Sequence, residues 1–155
     1  MKIGIFSIPH NATRFTGDLL VELKQNPENY VLTQHLRDPK IQSYRTEPCD
    51  FDVVIMPFRK PERVLASWYN RDKYRIHVVA SYQMLDEFWQ DSYFPLPVDH
   101  PDRAMYLDKI SNAVGEELKT DWRRVGHFRD GGHRVEEDIP EAYGTPVIER
   151  LYGNA

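Results

Sequence analysis

A short run in which every residue is apolar, Val53-Val54-Ile55-Met56, constrains this chain more than any other feature. A strand sends alternate side chains to opposite faces, so a run without polar alternation must be covered on both sides. Pro61 follows closely, and proline fits the first turn of a helix, where its missing N–H removes no bond. The segment therefore reads as a buried strand, a short loop and a helix. Arg59 falls at the carboxyl end of the strand, and Ser67 falls on the helix. In an open α/β sheet ligands bind outside the carboxyl ends of the strands. A guanidinium and a hydroxyl at that rim suit a phosphate, the arginine through a charge-assisted fork.

The rest of the chain supplies the neighbours such a strand needs. Residues 2–8 alternate and are β-branched, which predicts a first strand. A polar loop over 9–15 leads to a helix over 16–24, with Leu19, Leu20 and Leu23 on one face. Residues 30–35 form a second short strand. Residues 38–50 read as irregular or weakly helical, with Pro39 and Pro48 as breakers. The helix opened by Pro61 extends to Asn70, and residues 75–80 read as a fourth strand. From Asp86 the pattern changes. Phe94-Pro95-Leu96-Pro97 and His100-Pro101 read as a proline-broken loop. Residues 102–118 then carry helical periodicity in Met105, Leu107, Ile110, Val114 and Leu118. Residues 126–138 are polar and loop-like, and 146–152 close the chain as a short helix.

Strands alternating with helices predict parallel βαβ units. The expected fold is α/β, a three-layer sandwich with a mainly parallel sheet whose strands lie near 2–8, 30–35, 52–57 and 75–80. One domain is expected over residues 1–155, with 1–85 as a nucleotide-binding core and 86–155 as a helical and loop cap with the C-terminal segment.

Composition narrows the function. The formal net charge of −4 argues against a general nucleic-acid surface, although a nucleotide needs only a local basic pocket. Cys49 is the only cysteine, so no intrachain disulfide forms, which favours a reducing compartment. No signal segment opens the chain, and no apolar run approaches the roughly 18 residues of a membrane span. A cytoplasmic protein with no membrane partner is expected. The six histidines form no His-Glu-x-x-His pair, so no metal is expected. Neither a Gly-x-x-x-x-Gly-Lys-[Ser/Thr] loop nor a Gly-x-Ser-x-Gly elbow is present.

The segment from Arg59 to Asn70 resembles the 3′-phosphate-binding motif of the sulfotransferases, Arg-x-Pro-x-x-Val-x-x-Ser-[Trp/Tyr]-Tyr-[Asn/His]. Arg59, Pro61, Val64, Ser67, Trp68, Tyr69 and Asn70 all fall in register. The resemblance implies that Arg59 and Ser67 bind the 3′-phosphate of 3′-phosphoadenosine-5′-phosphosulfate, the sulfuryl donor, on a sulfotransferase-like nucleotide-binding fold. The plainer reading is an arginine capping a strand and a serine buried in a helix.

Three further stretches extend the likeness. The first loop, Pro9-His10-Asn11-Ala12-Thr13-Arg14-Phe15, stands where the family has its 5′-phosphosulfate loop, Pro-[Lys/Arg]-[Ser/Gly]-Gly-Thr-[Thr/Ser]-[Trp/Phe/Leu]. Thr13 and the aromatic Phe15 are kept. His10 replaces the lysine, Asn11 the serine, Ala12 the glycine and Arg14 the second hydroxyl residue. A neutral His10 stabilises charge on a leaving phosphate poorly, so Arg14 is assigned that cationic role. His35, in Leu32-Thr33-Gln34-His35-Leu36, is similar to the family's strand-end Lys-Thr-His-Leu-Pro, whose histidine takes the proton from the acceptor hydroxyl. Phe128-Arg129-Asp130-Gly131-Gly132 resembles the late Phe-Arg-Lys-Gly, whose arginine and backbone hold the 3′-phosphate, which would place Arg129 and Gly131 there. Asp130 in the lysine position departs from the pattern, and a Gly-rich surface turn is the plainer reading. Ser81-Tyr82-Gln83-Met84-Leu85 resembles the family's Tyr-Glu-Asp-Leu and reads as architectural.

The chain is much shorter than typical sulfotransferases, and the likeness covers roughly residues 1–85. Two functions of different class follow. One is a sulfotransferase acting on a hydroxyl or amine, with a small-molecule nucleotide and an acceptor that the sequence leaves open as partners. The other is a catalytically degenerate relative that binds a nucleotide or a protein partner, a reading the altered first loop favours. A small phosphotransferase with a degenerate phosphate loop is a third.

Overall fold

Four strands form one sheet in which every neighbour is parallel, in the order β2-β1-β3-β4. They are β1 (Lys2–Ser7), β2 (Tyr30–His35), β3 (Val53–Phe58) and β4 (Phe94–Pro97). The helices are α1 (Val21–Gln25), α2 (Pro61–Ala66), α3 (Arg71–Phe88), α4 (Arg103–Val114) and α5 (Pro146–Tyr152), with a 3₁₀ turn at Pro140–Gly144 before α5. The computed structural model describes residues 1–8, 21–35, 51–68, 71–118 and 137–153.

The two sheet faces carry separate apolar clusters, and strand alternation sorts them. Ile3, Ile5, Val53 and Ile55 point to one face, where they meet Leu23 of α1 and Leu107, Ile110 and Val114 of α4. Phe6, Val54, Met56 and Phe58 point to the other, against Val64 and Leu65 of α2, Val78, Tyr82 and Leu85 of α3, and Val147, Ile148 and Leu151 of α5. All six residues of β3 are buried, as the apolar run requires of an inner strand. The result is a three-layer α/β arrangement.

Gly4 permits one close approach. A Cβ there would stand 2.4 Å from Cε2 of Phe6, whose ring is fully buried and packs edge-on to Phe51 with centroids 5.4 Å apart.

The fourth strand corrects the sequence reading. Residues 75–80 lie inside the 18-residue helix α3. Their β-branched side chains suggested a strand, but the buried positions Val78, Tyr82 and Leu85 are spaced by four and three, a helical period, while Ile76 is 80% exposed. The fourth strand is instead Phe94–Pro97, read from sequence as a proline-broken loop. It contributes to the sheet from within the region expected to be a cap. Its pairing explains how two prolines are accommodated. The N–H of Val98 donates to the Phe58 carbonyl at 3.0 Å. By alternation Phe94 and Leu96 also face β3, and Pro95 and Pro97 present their missing N–H to the outer edge.

Two helices are shorter than expected: the one opened by Pro61 ends at Ala66, which leaves Ser67 at its C-terminal cap, and the one expected over 102–118 ends at Val114. Pro61 opens α2 in its first turn. The closing helix is α5, as expected, and α4 covers the larger, N-terminal part of residues 102–118. That helix ends at Gly115, which takes the left-handed conformation at φ 73°. Of the helix expected over 16–24, the described part is α1, and the stretch read as irregular over 38–50 lies outside the described residues.

Candidate functional site

Parallel strands bring all their carboxyl ends to one edge of the sheet. His35 ends β2, paired in register with Ser7 at the end of β1. Arg59 follows β3 directly, and Asp99 and His100 follow β4 and Val98. The order in which strands are added reverses between β1 and β3, because β2 lies to one side of β1 and β3 to the other. That reversal is where open α/β sheets form a crevice. The ladders open there as well. Pairing of β1 with β2 continues to Ser7↔His35, whereas pairing of β1 with β3 stops at Ile5↔Ile55, two residues before Pro57, which has no N–H to offer. Adjacent strands are about 4.8 Å apart, so the ends of β2 and β3 stand roughly 10 Å apart across β1.

Arg59 sits in a polar cluster at this edge. Its carbonyl accepts a hydrogen bond from the Tyr82 hydroxyl at 2.6 Å, so the residue read as architectural in α3 fixes the backbone of the site arginine. Burial pulls the Arg59 guanidinium below the ordinary arginine value, and the neighbouring Asp99 charge pulls in the opposite direction. An arginine remains protonated through the neutral range regardless.

Asp99 is the centre of the cluster, with a side chain only 2% exposed. Its Oδ1 accepts from the Tyr152 hydroxyl at 2.7 Å, and its Oδ2 accepts from the Lys60 N–H at 2.9 Å. The Arg63 Nε lies 3.7 Å from Oδ2, and the Arg63 side chain is 39% exposed. A second buried carboxylate stands nearby on α2. Glu62 accepts from the Tyr143 hydroxyl at 2.6 Å and from the Ile139 N–H at 3.3 Å. Each carboxylate thus binds a phenol from the C-terminal segment and a backbone N–H. Burial raises the pKa of Tyr82, Tyr143 and Tyr152, and the adjacent carboxylates raise them further.

Ser67 lies at the C-terminal cap of α2, where its backbone N–H bonds the Arg63 and Val64 carbonyls. Its hydroxyl donates to the Val64 carbonyl at 2.7 Å. In this rotamer its proton is committed to the helix, and donating to an anion would require breaking that bond. The next residue, Trp68, stacks on Tyr74 of α3 with ring centroids 4.1 Å apart.

Of the residues singled out in the sequence, Arg59 and Ser67 flank α2, and His35 shares the carboxyl edge through its backbone. His10, Asn11, Ala12, Thr13, Arg14 and Phe15 lie outside the described residues, as do Arg129 and Gly131. Among the described residues no group of three or more His, Cys, Asp or Glu side chains is arranged to hold a metal ion. Sequence reasoning missed Arg63, Asp99 and Tyr152. The signal for Asp99 was its place just beyond a strand, which Pro95 and Pro97 concealed. Arg63 was visible as a second arginine one helical turn after Arg59.

Comparison of the chain with family models, with curated proteins and with solved structures gives no match. The assignment of chemistry therefore rests on the geometry of this edge and on the motif that ends at Asn70.

Proposed function

We propose that this chain binds a 3′-phosphorylated adenine nucleotide at the carboxyl edge between β1 and β3, and that it is a sulfotransferase-like protein taking 3′-phosphoadenosine-5′-phosphosulfate as sulfuryl donor. One observation carries the reading. The arginine of the Arg-x-Pro motif stands immediately past the inner strand β3, beside the point where the β1–β3 ladder opens and the strand order reverses. The partly desolvated Arg59 guanidinium fits a phosphate there, because a charge-assisted bond strengthens as water is excluded.

In this reading Arg59 holds the 3′-phosphate, with Ser67 assisting once its hydroxyl leaves the Val64 carbonyl. The residues of the first loop, from His10 to Phe15, receive the 5′ end, with Arg14 as the cation facing the leaving phosphate. Arg129 and Gly131 add to the 3′-phosphate site. The donor supplies the sulfuryl group. His35, two strands from Arg59 on the same edge, takes the proton of the acceptor hydroxyl or amine. With Cys49 as the only cysteine and no described helix long and apolar enough to cross a membrane, the proposed setting is the cytoplasm.

A second reading has its own support. Arg59 shares its surroundings with the buried Asp99 and with Tyr152, an arrangement that also serves simply to hold α5 against β4. A nucleotide or protein binder without transfer chemistry would need no more.

Calorimetric titration with 3′,5′-adenosine bisphosphate, with 5′-AMP as control, tests the proposal. The bisphosphate should bind more tightly than 5′-AMP. Arg59→Ala should weaken it by about 1.5–3 kcal/mol, the usual range for a hydrogen bond to a charged group. Arg59→Lys should restore only part, because the fork is lost. Equal affinity for both nucleotides, or indifference to Arg59→Ala, would sink the assignment. Binding without sulfuryl transfer to any of a broad acceptor panel would favour the second reading.

A further inference from the structure

We infer that the outer edge of β2 is a pairing surface for a second copy of this chain, joined antiparallel across a two-fold axis at Thr33. The inference is independent of the nucleotide reading. In a parallel ladder, alternate residues of a strand turn their N–H and C=O groups to one neighbour. Tyr30 turns toward β1, where its N–H donates to the Met1 carbonyl at 2.9 Å. By alternation Leu32 and Gln34 also serve β1, and Val31, Thr33 and His35 turn their backbone groups outward. β2 ends the sheet on that side, and among the described residues nothing bonds those outward groups.

The two edges of the sheet differ in what they offer. On the far side β4 is four residues long, and Pro95 and Pro97 leave it without outward donors. β2 has six residues and contains neither proline nor Lys, Arg, Asp or Glu, the usual means of blocking an edge. Val31, Leu32 and Thr33 are only half-buried, and Tyr30 is 56% exposed. One open edge and one blocked edge suit a closed pair. A two-fold contact uses the β2 edge of both copies and leaves no open edge for a third.

The register follows from which groups point outward. In an antiparallel ladder, opposed residues that exchange both bonds must turn their backbone groups toward each other. An axis at Thr33 sets Thr33 opposite Thr33 of the second copy, and Val31 opposite His35 of the second copy, so all three outward residues are paired. Moving the axis to Leu32 or Gln34 carries one of them past the end of the strand. No like charges are opposed, because the strand carries none. The Thr33 side chain adds a separate observation. Its Oγ1 is buried and has no hydrogen-bond partner among the described residues. Side chains stand on the sheet faces, so this burial is compatible with an open backbone edge. The axis brings two such hydroxyls together on one face, where threonines hydrogen-bond across strands.

Sedimentation equilibrium on the full chain, over a concentration series, should show the mass rising toward twice that of one chain. Thr33→Pro should hold it at one chain with circular dichroism unchanged, because the N–H it removes is not used by β1. Thr33→Val should weaken the dimer about two- to fivefold, the size of a cross-strand hydroxyl pair. The same change should not lower the stability of the monomer, which loses an unpaired buried hydroxyl. Should Thr33→Pro fail to fold, cysteine crosslinking reads the register directly. In a Cys49→Ser background, Thr33→Cys should link two copies on oxidation, since such opposed residues have Cα atoms about 5.5 Å apart, within disulfide reach. Val31→Cys should not link, because Val31 of the second copy lies four residues along the ladder, about 14 Å away. A single-chain mass at every concentration, a dimer that survives in folded Thr33→Pro, or equal linking by the two cysteine variants would overturn the inference and leave the nucleotide reading standing.

Discussion

At the scale of single residues, the telling positions are buried polar groups whose partners come from distant parts of the chain. Glu62 is 5% exposed and occupies an unspecified place in the Arg-x-Pro motif, so nothing about it stood out in the sequence. The structure gives it two donors more than 70 residues away, the Tyr143 hydroxyl and the Ile139 N–H. Removing one partner of a buried charged group leaves the other unsatisfied, which costs more than the bond itself contributed. Tyr143→Phe should therefore destabilise the protein by about 1.5–3 kcal/mol in chemical denaturation. Glu62→Gln should cost less, because an amide oxygen of the same shape can still accept from one donor. The double variant should cost less than the sum of the singles, since the two side chains share one bond. Strict additivity would show that the contact is not made. Such pairings were illegible in the sequence because no local pattern links positions so far apart, whereas Pro61 acts on its own backbone and is readable where it stands.

Elements show the same division. β1, β2 and β3 were legible because each carries its burial pattern within its own length. Val53-Val54-Ile55-Met56 announced its inner position, and all four are buried. Residues 75–80 misled because Ile76, Val78 and Val79 favour strands, and strand preference there reflects packing context more than backbone. What decides is the absence of Gly or Pro across all 18 residues of α3, together with buried positions at helical spacing. The two readings differ sharply at Ile76. A strand would place Ile76 and Val78 on one face, and a helix turns them about 200° apart. Ile76→Lys should thus change stability by no more than about 0.5 kcal/mol, because the side chain is 80% exposed. Val78→Lys should be severely destabilising, since Val78 is 2% exposed among Phe6, Val64 and Tyr82. A large loss from Ile76→Lys in thermal unfolding would contradict the helix. The exchange of β4 for α3 also shifts the site. With Phe94–Pro97 in the sheet, Asp99 and His100 reach the carboxyl edge beside Arg59, and the region expected only to cap the core supplies part of its polar cluster.

Across the whole molecule, the carboxyl edge joins the middle of the chain to its C-terminal segment. Tyr82 from α3, Tyr143 from the 3₁₀ turn and Tyr152 from α5 converge on Arg59, Glu62 and Asp99, and their bonds close the C-terminal segment against the first layers of the fold. This convergence ties stability to alkaline pH in a definite direction. Burial is the leading cause of the raised pKa at all three tyrosines. For Tyr143 the hydrogen bond to Glu62 comes next, and for Tyr82 and Tyr152 the charge of Asp99. In the unfolded chain a phenol titrates near pH 10. Above that pH the unfolded state releases protons that the folded state retains, so stability falls as pH rises. Below it both states hold the proton, and the contribution of these phenols is constant. Denaturation midpoints should accordingly show no dependence on these groups between about pH 7 and 9, and should drop above about pH 10. Absorbance of tyrosinate near 295 nm should resolve the nine tyrosines of the chain into a class that ionises reversibly with the fold intact and a class that ionises only as the protein unfolds. Tyr152→Phe and Tyr143→Phe should each remove one residue from the second class, and Tyr152→Phe should flatten the alkaline loss of stability. Reversible ionisation of all nine at about pH 10, with circular dichroism unchanged, would show that the phenols are not held by the carboxylates. The same titration bears on the candidate site, because the Tyr152 hydroxyl bonds Asp99 at 2.7 Å, and Asp99 stands 3.7 Å from the Arg63 Nε at the carboxyl edge.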